Sequence, residues 1–384
     1  MTTAADGRAD GCAPLRIALL SYSTKPRGGV VHTLALAEAL AAAGQDVTVW
    51  TLARGGDGGF FRPVDPRVRQ RLVPFPDAEG EDVGARILRS IAVLRDAFDE
   101  SGYDIVHAQD CISANAAGRC VRTIHHLDHF TTPELAACHE RAITQPYAHV
   151  CVSAAVAAEV QAGWGLHPVV IPNGVDAARF AAAASDAPAA VAARRAWPDR
   201  LGRYVLAVGG IEPRKGSLEL LGAYARLARE RPGVRLVIAG GETLFDYRDY
   251  RAAWEQRARD LPLAPEVLGP VPEPDLPALV AAAAVFAFPS AKEGFGLAAL
   301  EALAAGVPVV ASDLPVLREA LRGAARFAAT EEDLAAALLT ALDHPDPARQ
   351  AAGREVAASY TWPAAAAAHL DFYRSLRSAG ALRR

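Results

Sequence analysis

The chain has 384 residues, 51% of them hydrophobic and 22% charged, which excludes a disordered or fibrous chain and is long enough for two cores. The formal net charge of −4 gives no global electrostatic reason for nucleic acid as a partner. The five cysteines (Cys12, Cys111, Cys120, Cys138, Cys151) form no CxxC pair, so neither a zinc site nor a disulfide framework is suggested. Reduced thiols in a cytoplasmic protein are the simplest expectation. Residues 1–14 lack the apolar run of a signal peptide and read as a disordered leader. The apolar stretch Ala278–Phe288 falls short of the ~20 residues that span a bilayer, which leaves only a peripheral membrane contact open.

In chain order, Arg16–Ser21 is a short, bulky strand, and Val31–Ala43 a helix that Gly44 ends. Asp46–Leu52 is a second strand. Strand, helix and strand with short connections make a βαβ unit and hence a parallel sheet. Asp104–His107, Val121–Ile124 and His149–Val152 add three strands, so 15–170 form a first domain. The turn-rich Ile171–Asp176 and an alanine-rich stretch of weak strand character after it read as a linker over 171–203. The alternation then restarts over 204–355. Strands are expected at Tyr204–Val208, Arg235–Ala239, Val285–Pro289 and Val307–Ala311, with helices over Ser217–Arg229 and Gly296–Ala305. The last segment, 356–384, carries a helix over Trp362–Leu376 whose rings need a buried surface, so packing back on the first domain is expected. The fold class is α/β, with two Rossmann-like parallel-sheet domains facing a central cleft. In such sheets ligands sit beyond the carboxyl ends of the strands.

Four loops at those ends carry candidate chemistry. The first, Lys25 to Val30, has Gly28 and Gly29 ahead of a helix. It reads either as a tight turn or as a place where an anion approaches the backbone. The second holds His125, His126 and His129 after a strand. A histidine there can bind a sugar hydroxyl or move a proton, whereas metal ligation lacks a completing set, so no metal is expected. The third, Gly209-Gly210-Ile211-Glu212-Pro213-Arg214-Lys215-Gly216, joins close backbone approach to two cations and suits a diphosphate. The fourth runs from Pro289 through Glu293, Gly294, Phe295, Gly296 and Leu297 to Glu301. Its two carboxylates accept pairs of hydrogen bonds from vicinal hydroxyls, and its helix start offers free N–H groups to a phosphate.

Together these residues resemble the retaining glycosyltransferases of family 4, which have the GT-B fold, over nearly the whole chain from about Leu15. The most specific element is the E-x7-E spacing of Glu293 and Glu301 within EGFGLAALEALAAGVPVVAS. The order of features also matches: the Gly28-Gly29 pair, T-x-H at Thr123–His125, NGVD at Asn173–Asp176, and Lys215-Gly216. The resemblance implies retaining, metal-independent transfer of a sugar to an unknown hydroxyl acceptor, without a cofactor. The donor would be a nucleotide-diphosphate sugar of UDP, GDP or ADP type. Under it Glu293 holds donor-sugar hydroxyls, Glu301 the ribose, and Lys215 the diphosphate. Phe295, Gly296 and Leu297 give backbone contacts, His125 meets the transferred sugar, Gly28 and Gly29 line the acceptor side, and Val271 lies near the base. The family commonly has arginine where this chain has Gly210, and Arg214 is the available substitute. The rival readings are a glycoside hydrolase using the two glutamates, a nucleotide-sugar epimerase, and a binding protein without turnover.

Overall fold

The computed structural model describes residues 13–127, 130, 132–241, 247–261 and 263–378. Most of the expected leader, together with Cys12, lies outside the described residues. Strands β1 (Arg16–Leu20), β2 (Asp46–Arg54), β3 (Arg69–Phe75), β4 (Ile105–Ala108), β5 (Val121–Ile124), β6 (Ala148–Cys151) and β7 (Val169–Val170) form one sheet in the order β3-β2-β1-β4-β5-β6-β7. Strands β8 (Arg203–Val208), β9 (Val234–Ala239), β10 (Glu266–Gly269), β11 (Val285–Phe288), β12 (Val309–Ser312) and β13 (Arg326–Ala328) form another, in the order β10-β9-β8-β11-β12-β13. Adjacent strands are parallel throughout, for example Ile17 beside Val47 and Val205 beside Leu236. The central strands read as unbroken apolar runs because helices cover both faces of a parallel sheet. Ile17, Leu19, Val285 and Phe286 are fully buried accordingly.

In each sheet the strand order reverses once, between β1 and β4 and between β8 and β11. A crevice opens at such a switch point, because the connections on its two sides leave in opposite directions. The loops after β1, β4, β8 and β11 are therefore the ones placed to form a site.

The stretch 171–203 corrects the expectation of a weakly strand-like linker. It folds as two helices, Ala177–Ala183 and Pro188–Leu201. Alanine is the strongest helix former, Asp176 caps the first helix by accepting from the Arg179 N–H, and Pro188 sits in the opening turn of the second, where it is tolerated. Phe180 is 1% exposed, in the same core cluster as Leu300 and Leu303.

The final helix, Trp362–Ser378, packs on the first sheet, where Ala366, Leu370 and Tyr373 join the core of Leu15, Ile17, Leu36 and Val47. Its Tyr373 hydroxyl lies 2.6 Å from His107 Nδ1, and His107 Nε2 lies 2.7 Å from Thr123 Oγ1. The chain thus passes between the sheets twice, and the two passages touch. The Val175 N–H donates to the Tyr360 carbonyl at 3.0 Å. Tyr373→Ala removes a fully buried ring and strands His107, and should cost about 3–5 kcal/mol in denaturant unfolding. A loss under about 1 kcal/mol would mean that this helix is not part of the first core.

Among the described residues no helix is long and apolar enough to cross a membrane.

Candidate active site

The site begins with a contact that only glycine allows. Gly216 has φ +62°, and a Cβ there would lie 1.9 Å from the Pro289 carbonyl oxygen. The loop after β8 is thereby pressed onto the loop after β11, and the Ala291 N–H donates to the Arg214 carbonyl at 2.9 Å. This brings the two cations of one loop to the carboxylate of the other. Lys215 Nζ lies 2.6 Å from Glu293 Oε1, Ser290 Oγ donates to the same oxygen at 3.0 Å, and Arg214 Nη1 reaches it at 3.3 Å. Arg214 Nη2 also pairs with Glu212 at 3.1 Å. Burial alone would push Glu293 up, but the Lys215 and Arg214 charges outweigh it and hold the carboxyl at about 2. Gly209, Gly210, Lys215, Phe288 and Ser290 line a small concavity beside this cluster.

On the family resemblance Lys215 serves a diphosphate and Glu293 a sugar, as separate tasks. In the folded protein the two are a direct ion pair. Arg214, taken as the substitute for an arginine at Gly210, is part of the same cluster, so its guanidinium does stand beside Lys215 and Glu293.

Glu301 sits in the helix Leu297–Ala304, whose N-cap, Gly296, leaves the first N–H groups without a capping side chain. It is half-buried. Burial pushes its carboxyl up to about 8; Arg179 opposes the shift, while Asp176 and Glu273 add to it. Arg179 is itself paired with Glu273. Arg179 and Asp176 were missed as neighbours of Glu301 because 171–203 read as a linker, and Glu273 stands in the second domain two residues beyond Val271. The NGVD motif ending at Asp176 was the one available signal. The Phe295 side chain is 5% exposed and stacks edge-on against Tyr360, with ring centroids 5.1 Å apart, so only its backbone can serve the cleft. Leu297 and Val271 pack half-buried on that same core.

On the facing wall, His125 follows β5. Its ring stands edge-on to His32 at 4.7 Å between centroids, and a Cβ on Gly29 would lie 3.7 Å from it. Burial first, then His32 and Arg122, push His125 well below the ordinary imidazole range, so the ring is neutral at pH 7. Its Nε2 is buried without a hydrogen-bond partner. His32, which the sequence reading did not single out, fixes the histidine pair to the NGVD segment through Asn173 Oδ1, 2.8 Å from Nδ1. Gly28 and Gly29 open the helix Gly28–Ala42, and Gly28 faces open space. The walls meet at Gly294, where a Cβ would lie 1.7 Å from the His125 carbonyl oxygen. His129 lies outside the described residues. Among those described, no group of three His, Cys, Asp or Glu side chains is placed to hold a metal ion.

Two parallel-sheet domains of this kind form the GT-B arrangement, and comparison with known proteins gives the class as glycosyltransferase. Residues 26–179 match the family described as Glycosyltransferase Family 4, and residues 198–357 match Glycosyl transferases group 1. The phosphatidyl-myo-inositol mannosyltransferase of Mycolicibacterium smegmatis is 30% identical over 94% of this chain and 93% of its own. The D-inositol 3-phosphate glycosyltransferase of Kineococcus radiotolerans is 32% identical over 94% and 95%. The crystal structure of Anabaena HepE in complex with UDP and glucose superposes with a TM-score of 0.74 at 19% identity, over 94% of this chain and all of that one. The chain belongs to glycosyltransferase family 4.

Proposed function

We propose that the protein transfers a sugar, with retention of anomeric configuration and without a metal ion, from a nucleotide-diphosphate sugar to a hydroxyl acceptor. The observation that carries this is the Lys215–Arg214–Glu293 cluster at the switch point of the second sheet, held against His125 beyond β5 of the first. Bond cleavage leaves charge on the departing diphosphate. Lys215, Arg214 and the helix start at Leu297 supply fixed positive potential where that charge develops. Glu293 and the neutral His125 hold the sugar, and the departing phosphate oxygen accepts the proton of the acceptor hydroxyl on the same face. Glycoside hydrolysis gives the two cations no task, since it releases no diphosphate.

A thermal-shift panel with UDP, GDP, ADP and dTDP tests the donor. A nucleotide at ~100 times its Kd stabilises the native state by about 2.7 kcal/mol, and a flat panel would sink the proposal. Turnover of the matching sugar donor in EDTA, with the product anomer read by NMR, tests metal independence and retention. An inverted product, or activity lost to the chelator, contradicts the respective part.

Glu301 gives a pH signature. An acid raised in the fold contributes stability that is complete below the ordinary carboxyl pKa and is lost as pH rises through about 8. The ribose hydroxyls donate to the ionised form, so nucleotide affinity should climb with pH up to about 8 and then level off. Glu301→Gln should flatten both curves. A Gln variant that keeps the wild-type slope in calorimetric titration would remove Glu301 from the ribose contact.

A further inference from the structure

The first switch point holds a second cationic cluster, on the acceptor side of the cleft and outside the donor site. Arg27 immediately precedes Gly28 after β1, Arg54 ends β2, and Asp110 follows β4. The Arg27 and Arg54 guanidiniums each lie 5.6 Å from the centre of the Tyr22 ring. Arg27 Nη1 donates to the Tyr22 hydroxyl at 3.0 Å, and Arg54 Nη2 to Ser90 Oγ at 2.9 Å. Both arginines are thus hydrogen-bonded to neutral hydroxyls. The other cations nearby are already matched, Lys25 with Asp57 at 2.8 Å and Arg89 with Glu81 at 2.6 Å.

Arg27 and Arg86 both bear on Arg54, and the carboxylate that bears most on it is Asp110. Asp110 spends one oxygen on the Ser113 N–H at 2.7 Å, and its other oxygen is buried without a partner. Arg27 Nε and Arg54 Nε are buried and unpartnered too. The preceding residue, Gln109, is 1% exposed with neither end of its amide bonded. Buried polar atoms are nearly always hydrogen-bonded, so such a concentration of unpartnered ones beside a switch point marks a place completed by a ligand. Planar guanidiniums match phosphate oxygens in pairs, and Gln109 and Asp110 suit the hydroxyls beside such a group.

We propose that Arg27 and Arg54 form an anion subsite, and that the acceptor carries a phosphate group near the hydroxyl that receives the sugar. This deepens the transferase reading and rests on it. Lys215 and Arg214 take the donor's diphosphate, and Arg27 and Arg54 take the acceptor's phosphate, so each substrate is oriented by its own charge.

The test uses the full chain saturated with whichever nucleoside diphosphate the thermal panel selects, so that the donor subsite is filled. Inorganic phosphate is then titrated by calorimetry. It should bind, Arg27→Gln and Arg54→Gln should each weaken it about 10-fold or more, and Lys25→Gln should leave it unchanged. Nucleotide affinity should be the same in all of them. Arg27 is half-exposed, so its variant keeps the test decisive even where the Arg54 variant does not fold. Vesicles of phosphatidylcholine, with and without phosphatidylinositol, form the second arm. Arg27-dependent co-sedimentation with the anionic vesicles places the phosphate on a lipid. Phosphate binding without co-sedimentation places it on a soluble acceptor. Failure of phosphate to bind the nucleotide-saturated protein, or wild-type binding by the Arg27 variant, overturns the subsite alone. Failure of nucleotide to bind overturns the transferase reading beneath it.

Discussion

Lys215→Ala should lower kcat/KM for the nucleotide-sugar donor about 10²- to 10³-fold, the usual cost of removing one preorganised charge from a transition state. Two effects of the substitution point the same way. The developing diphosphate loses the cation that sits 2.6 Å from Glu293. Glu293, 10% exposed, loses its strongest counter-charge and keeps only Arg214 at 3.3 Å, so its carboxyl rises toward protonation. A protonated Glu293 is a poorer acceptor for sugar hydroxyls, so the defect exceeds that of the missing charge alone. Glu293→Gln separates the two, because it should spare binding of the free nucleoside diphosphate while impairing the sugar-bearing donor. An unchanged kcat/KM in the Lys215 variant would remove Lys215 from the reaction.

Gly294→Ala should be nearly as damaging for a different reason. The added Cβ would meet the His125 carbonyl oxygen, a backbone atom that no rotamer change can move aside. The two loops must separate, which carries the Glu293 wall away from the His125 wall. A misplacement of about 1 Å between reacting groups costs on the order of 10²-fold in rate. Free nucleotide should still bind, because Lys215, Leu297 and Glu301 all belong to the second domain. Full kcat with tight nucleotide binding would mean that this contact is absent from the working state.

The sequence made the central strands legible because a parallel sheet buries them on both faces, leaving short apolar runs such as Arg16–Leu20. It did not reveal β3, an edge strand reading RQRLVPF that begins with three exposed polar residues. The three-residue β13 carries too little pattern to register. The alanine-rich stretch after Asp176 lacked the bulky periodicity that marks an amphipathic helix. Its helices are instead held by small-residue packing and by single anchors such as Phe180. Glu293, Glu301, Lys215 and His125 all stood out as candidates from their place after a strand or near a helix start and from the E-x7-E spacing. What escaped was the wiring among them. The Lys215–Glu293 pair spans 78 residues and the Arg179–Glu273 pair 94, and neither separation leaves a local trace. Arg27, Arg54 and Asp110 come from the carboxyl ends of three separate strands and become a cluster only when the strand order places β1, β2 and β4 side by side.

The two passages of chain between the sheets are joined at Val175 and Tyr360, and a Cβ on Gly174 would lie 2.3 Å from Trp362 N. Two ribbons fastened along one line behave as a door hinge: swinging about that line is soft, while sliding and twisting across it are stiff. The line at Val175 and Tyr360, with the Ala154 N–H donating to Glu319 at 2.8 Å, fixes which part of one domain faces which part of the other, so Glu293 and His125 are held on opposing walls.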